Sequence, residues 1–96
     1  LSQEEAWRLG EQVPQWKIED GKRIERSFEF EDFVEAMDFA QEIADIAEEE
    51  GHHPDLHISY GRVRVELSTH SIGGLSSNDF ILAAKIDHMH NEFTEE

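Results

Sequence analysis

The run from 32 to 51 constrains this chain more than any other stretch. Its apolar residues Phe33, Ala36, Met37, Ala40, Ile43, Ala44 and Ala47 recur at steps of three and four, the spacing of one helical face. Asp32 can accept from the free N–H groups of a first turn, and Gly51 suits the left-handed stop at the other end. A helix is therefore expected between them. Its small residues Ala36, Ala40, Ala44 and Ala47 let the backbone lie close to a sheet.

The flanking sequence supplies that sheet. Trp16 and Ile18 alternate with polar residues up to Asp20-Gly21, a hairpin signal, and Ile24, Phe28 and Phe30 resume the period of two. Beyond the helix, Leu56, Ile58 and Tyr60 alternate, Gly61 permits a tight turn, and Val63, Val65, Leu67 and Thr69 alternate again up to His70. Arg62, Arg64, Glu66 and Ser68 then share the opposite face, polar enough to be wet or to meet a second subunit.

A helix is expected at each end of the chain. Ser2 and Glu5 have the spacing of a capping box, followed by Ala6, Trp7 and Leu9 before Gly10. Trp7 and Trp16 read as core or rim packing. Ser76-Ser-Asn-Asp79 opens the last helix, where Leu82, Ile86, Met89 and Phe93 form one stripe while Phe80, Ile81, Ala83 and Ala84 extend apolar surface to other sides. A helix so apolar is expected to bury one face on its own sheet and another on a partner copy, making a homodimer or homotetramer. The order α-β-β-α-β-β-α reads as one α+β domain over 1–96, an antiparallel sheet of about four strands with helices on one face.

Composition narrows the function. A chain of 96 residues builds a single core, burying roughly 60% of its unfolded surface. Cysteine is absent, so disulfides and thiolate metal sites are excluded. The net charge of -15, with no basic stripe, argues against direct nucleic-acid binding. No apolar run approaches the ~20 residues of a membrane span. The first residue is Leu1 rather than methionine, which suggests trimming, and without a signal-peptide pattern the expectation is a soluble cytoplasmic protein.

The candidate chemistry lies in the stretch Glu48-Glu-Glu-Gly-His-His-Pro-Asp-Leu-His57. Adjacent histidines cannot share one face of a helix or strand, and Pro54 biases His53 away from helical geometry. The pair is expected to splay on a stiff loop at a helix C-terminus. Histidine is the side chain that titrates near neutrality, so this posture suits proton transfer, although a solvated turn would have the same composition.

Glu48, His52-His53-Pro54, the aromatic Tyr60, Thr69-His70 and Gly74-Leu75-Ser76 leading to Asp79 stand in order and at a spacing that resembles the pterin-4a-carbinolamine dehydratases. The resemblance covers nearly the whole domain. It implies removal of water from a 4a-hydroxytetrahydropterin, giving the quinonoid dihydropterin that a reductase returns to tetrahydropterin. It also implies that His52, His53 and His70 are the catalytic set, that the loops of Gly51, His52, His53, Ser68, Thr69, His70 and Ser71 hold the pterin, and that no metal or redox cofactor takes part. Glu48 and Asp79 are the carboxylates that would orient or charge an imidazole, Asp79 being equally readable as a helix cap. Where the family pattern leads one to expect an acid directly before the histidine pair, this chain has Gly51. Pro54 and the strand end are expected to hold His53 and His70 rigidly for direct acid and base work, leaving His52 to position the ring.

Two other readings remain open at this stage. His53 and His57 are four apart, and His52, His70 and Asp79 could complete a metal shell, but that spacing suits zinc on a helix and Pro54 opposes one here. Members of the resembled family also serve as dimerisation cofactors for transcription factors, which implies a possible protein partner for the last helix. His57, His88 and His90 match no catalytic position and read as surface or interface residues.

Overall fold

The computed structural model describes residues 2–93, so Leu1 and the last three residues of the expected domain lie outside the described residues. The elements are α1 (Gln3–Gly10), β1 (Lys17–Glu19), β2 (Arg23–Glu29), α2 (Phe33–Glu50), β3 (Asp55–Ser59), β4 (Arg62–Leu67), a 3-10 turn (His70–Ile72) and α3 (Ser77–Phe93). Three of them begin where the sequence supplies a partner for the orphan N–H groups of a first turn or a turn residue. Ser2 and Glu5 form the reciprocal capping box of α1, the Asp32 side chain accepts from the Glu35 N–H at the start of α2, and Asp20 and Gly21 both take positive φ between β1 and β2.

All four strands are antiparallel, in the order β1-β2-β4-β3. The two hairpins join through β2 and β4, in a register that sets Ile24 opposite Leu67 and Phe28 opposite Val63. Ile24, Phe28, Val63, Val65 and Leu67 therefore form an apolar face covered by Ala36, Phe39, Ile43, Leu82, Ala83 and Ile86 of the helices. Each large side chain fully buried there contributes about 1.5–3 kcal/mol. The opposite face carries Glu25, Ser27, Arg62, Arg64 and Glu66, with Arg64 and His57 both near Glu66. Gly61 is required where β4 begins, because a Cβ there would stand 2.7 Å from the Phe30 carbonyl oxygen.

Several side chains depart from the sequence reading. The buried face of α2 comprises Ala36, Phe39, Ala40, Ile43 and Ala47, whereas Phe33 and Met37 are exposed, because the helix meets the core rotated toward the Ala36 and Ile43 edge of the expected stripe. Trp7 is 64% exposed, whereas Trp16 packs in the core as expected, its indole N–H donating to Asp87 at 2.8 Å. Arg26 stands on the covered face opposite Val65, where Asp87 takes its guanidinium at 2.7 Å and the Phe28 ring lies 4.3 Å below it. His90, expected at the surface or an interface, packs into that same region, with ring centroids 4.8 Å from Phe28 and 5.4 Å from Phe39. Burial holds its pKa below the ordinary 6.5, Arg26 adds to the lowering and Asp87 opposes it. On α3, Phe80, Leu82, Ala83 and Ile86 all face the protein's own core, leaving Ile81 as its exposed large apolar residue among the described residues. Helix α3 thus lacks the second broad apolar face expected for a partner.

Candidate functional site

The site begins at the C-terminus of α2. Gly51 takes φ 65 and its N–H returns to the Ala47 carbonyl, which also accepts from the His52 N–H at 3.2 Å. This left-handed turn ends the helix and delivers His52 to the first turn of α3. There the His52 Nε2 meets the Asp79 Oδ1 at 2.5 Å. Asp79 is 0% exposed, and the His52 side chain is 16% exposed.

The other oxygen of Asp79 is equally committed. Its Oδ2 accepts from the Ser76 N–H at 2.9 Å and from the Thr69 hydroxyl at 2.9 Å. An ionised carboxylate only accepts and a hydroxyl has one proton, so the Thr69–Ser76 hydroxyl contact at 2.7 Å runs from Ser76 to Thr69. With Asp79 ionised, the same rule assigns the proton to the His52 Nε2 and leaves Nδ1 as the nitrogen with a free lone pair when the ring is neutral. A buried carboxylate is costly unless hydrogen-bonded, and here three donors compensate it. Placement in the first turn of α3 adds the favourable end of the helix dipole.

Thr69 follows β4 and closes a loop on itself. Its N–H donates to the Gly74 carbonyl at 2.7 Å, and its own carbonyl accepts from Ile72 and Gly74. His70 opens the 3-10 turn inside this loop and is exposed, as is Ser71, while Ser68 is half-buried. His53 lies apart from the buried cluster. Its Nε2 is 2.5 Å from the Glu48 Oε2, with side chains 63% and 76% exposed, so this pair is solvated and contributes little to stability.

Of the residues singled out in the sequence, the structure therefore joins His52, Thr69 and Asp79 directly. It pairs His53 with Glu48, and it places His70 on the neighbouring loop without a side-chain hydrogen bond among the described residues. His52, expected to be the loosest of the three histidines, has the firmest anchor, because the helix stop turns it inward while Pro54 turns His53 outward. Asp79 accepts from the Ser76 N–H with one oxygen and meets His52 with the other. The hydroxyl of Ser76 escaped sequence reasoning. The capping-box spacing marked its backbone, but the diversion of its side chain to Thr69 depends on the β4–α3 loop folding back.

Among the described residues no group of three or more His, Asp or Glu side chains gathers as a metal ion would need, and His57 turns to Glu66 at 3.5 Å on the open face of the sheet. Two grooves lie elsewhere on the surface. One is lined by Phe30, Glu35, Asp38, Met89 and Phe93, the other by Ile46, Glu50, Lys85 and His88, and neither includes His52, His53 or His70. Among the described residues no helix is long and apolar enough to cross a membrane.

Fold and site together define an α+β domain with one covered sheet face, bearing a histidine locked to a buried aspartate between two histidine-carrying loops. The family model described as Pterin 4 alpha carbinolamine dehydratase matches residues 1–89, and the chain belongs to that family. A protein of Methylococcus capsulatus, provisionally named pterin-4-alpha-carbinolamine dehydratase, is 49% identical over 93% of this chain and 79% of its own length. The Arabidopsis thaliana protein named pterin-4-alpha-carbinolamine dehydratase 2, mitochondrial, is 44% identical over 96% of this chain and 51% of its own length. A crystal structure of a transcriptional coactivator/pterin dehydratase from Brucella melitensis superposes with a TM-score of 0.86 at 36% identity, covering 93% of this chain and 96% of that one. A pterin dehydratase-like protein described as a RuBisCO assembly factor in the alpha-carboxysome has a TM-score of 0.67 at 19% identity, covering 78% of this chain and 88% of that one, a likeness of fold alone.

Proposed function

We propose that this chain dehydrates a 4a-hydroxytetrahydropterin by histidine acid-base catalysis. In that reaction the C4a–O bond breaks as the hydroxyl leaves with a proton, the N5–H bond gives up its proton, and a C4a=N5 double bond forms, yielding the quinonoid dihydropterin and water. Groups that give and take protons near neutrality are the requirement. The observation that carries the reading is the His52–Asp79 contact in a chain of this family. With Nε2–H directed to Asp79, His52 is left with Nδ1 as a base, and the aspartate stabilises the imidazolium that forms, as in other His–Asp pairs. His53 and His70, exposed on the flanking loops, are the groups available to protonate the leaving hydroxyl, and Gly51, Ser68 and Ser71, close to the histidines along the chain, are assigned to the flat ring.

Generating the 4a-hydroxypterin in a stopped-flow mixer and following quinonoid formation tests this directly. The chain is expected to accelerate the step, and His52→Ala to lower kcat by about a hundredfold to ten-thousandfold. Prior dialysis against a chelator is expected to leave the rate unchanged, since no step in this scheme uses a metal. Absence of acceleration, or a rate lost with the chelator, overturns the reading.

A second role, toward a protein partner, is favoured by the description of the Brucella structure as a transcriptional coactivator and by the exposed Phe33, Val34 and Met37 of α2.

A further inference from the structure

Every polar group of Thr69 is already engaged inside the protein. Its N–H and carbonyl hold the 69–74 loop, its hydroxyl proton goes to Asp79 Oδ2, and its oxygen accepts from Ser76. Thr69 therefore has no donor to offer a ligand. The hydroxyl instead acts on the carboxylate plane. Rotation about the terminal bond of an aspartate is soft, and Asp79 Oδ2 is pinned by two donors from different directions, the Ser76 N–H and the Thr69 hydroxyl. That pinning leaves Oδ1 facing His52. Without the Thr69 hydroxyl, one donor remains on Oδ2, the carboxylate can turn, and His52 loses the acceptor that selects which nitrogen bears its proton.

We propose that Thr69 and Ser76 are positioning residues, whose hydroxyl chain from Ser76 to Thr69 to Asp79 fixes His52 in the Nε2–H tautomer and keeps Nδ1 as its basic nitrogen. The catalytic consequence rests on the dehydratase reading, whereas the tautomer is a property of the folded chain alone.

The test uses the full chain with nitrogen-15-labelled histidine. Long-range proton–nitrogen correlation at alkaline pH, with the His52 signals assigned from their loss in His52→Gln, reads which ring nitrogen is protonated. The Nε2–H form is expected in the natural sequence, a mixture in Thr69→Val, and the natural pattern again in Thr69→Ser. In the dehydration assay Thr69→Val is expected to lose about tenfold or more in kcat, as displaced catalytic groups do, with KM nearly unchanged. An unaltered His52 tautomer in folded Thr69→Val overturns the proposal, as does a rise in KM at constant kcat, the signature of a lost substrate contact. If Thr69→Val does not fold, Ser76→Ala removes only the outer donor and is expected to show the same mixture to a smaller extent; an unchanged tautomer there also overturns it. A chain with no dehydratase activity but a tautomer that responds to Thr69→Val refutes the proposed function and leaves the positioning role standing.

Discussion

Asp79 and His90 show how differently two titratable side chains can be accommodated. Asp79 gives up water entirely but gains donors from His52, Thr69 and Ser76, so its burial is compensated and its orientation fixed. His90 is instead set among Phe28, Phe30 and Phe39, with Arg26 on β2 and Asp87 on its own helix as the nearby charges. Burial favours its neutral form, so the folded pKa lies below the 6.5 of a free histidine. The unfolded chain then binds the proton first as pH falls. Stability is accordingly full above 6.5 and is lost as pH drops from there toward the folded pKa. Melting temperatures of the natural sequence and of His90→Phe, measured from pH 8 to pH 5, are expected to run parallel above about 6.5 and to diverge below it, the natural sequence falling faster. Parallel curves throughout would refute this account of His90.

At the scale of elements, the end of α2 is the decisive junction. Gly51 at φ 65 lets the chain reverse within one residue, and a Cβ built there meets nothing within 4 Å. The obstacle to a side chain is therefore the left-handed backbone and not the space around it. Gly51→Asp would restore an acid before the histidine pair at a cost of about 1–2 kcal/mol. Urea unfolding is expected to show that loss, with Gly51→Asn less affected because asparagine tolerates this conformation better. Equal stability of Gly51→Asp and the natural sequence would mean that the turn can rearrange, and His52 with it.

Across the whole molecule, a net charge of -15 opposes association while Phe33, Val34 and Met37 on one exposed stretch of α2, Val34 at 67%, favour it. Self-association through this apolar patch is expected, with light scattering giving a dimer or tetramer whose population grows with ionic strength as the charge is screened. Val34→Asp is expected to shift the mass toward the monomer. A monomer at micromolar concentration would remove the oligomer from consideration.

Local chemistry made much of this legible from the sequence. Helix caps at Ser2 and Asp32, the left-handed stop at Gly51, the Asp20-Gly21 turn and the period-two strands depend on neighbours a few residues apart, so the α-β-β-α-β-β-α order could be read along the chain. The motif residues could be read the same way. Which side chains meet could not, because contacts between distant segments depend on the pairing of β2 with β4 and on the rotation of each helix against the sheet. That packing buried Phe39, drew His90 against the Phe28 and Phe39 rings, turned Trp7 outward and put Arg26 on the covered face beside Asp87. It also joined His52 to Asp79, 27 positions away. Hydrogen bonding and periodicity act over a helical turn or a strand pair; the closing of the core brings the ends of α2, β4 and α3 to one point, and only there does a cap become the support of a histidine.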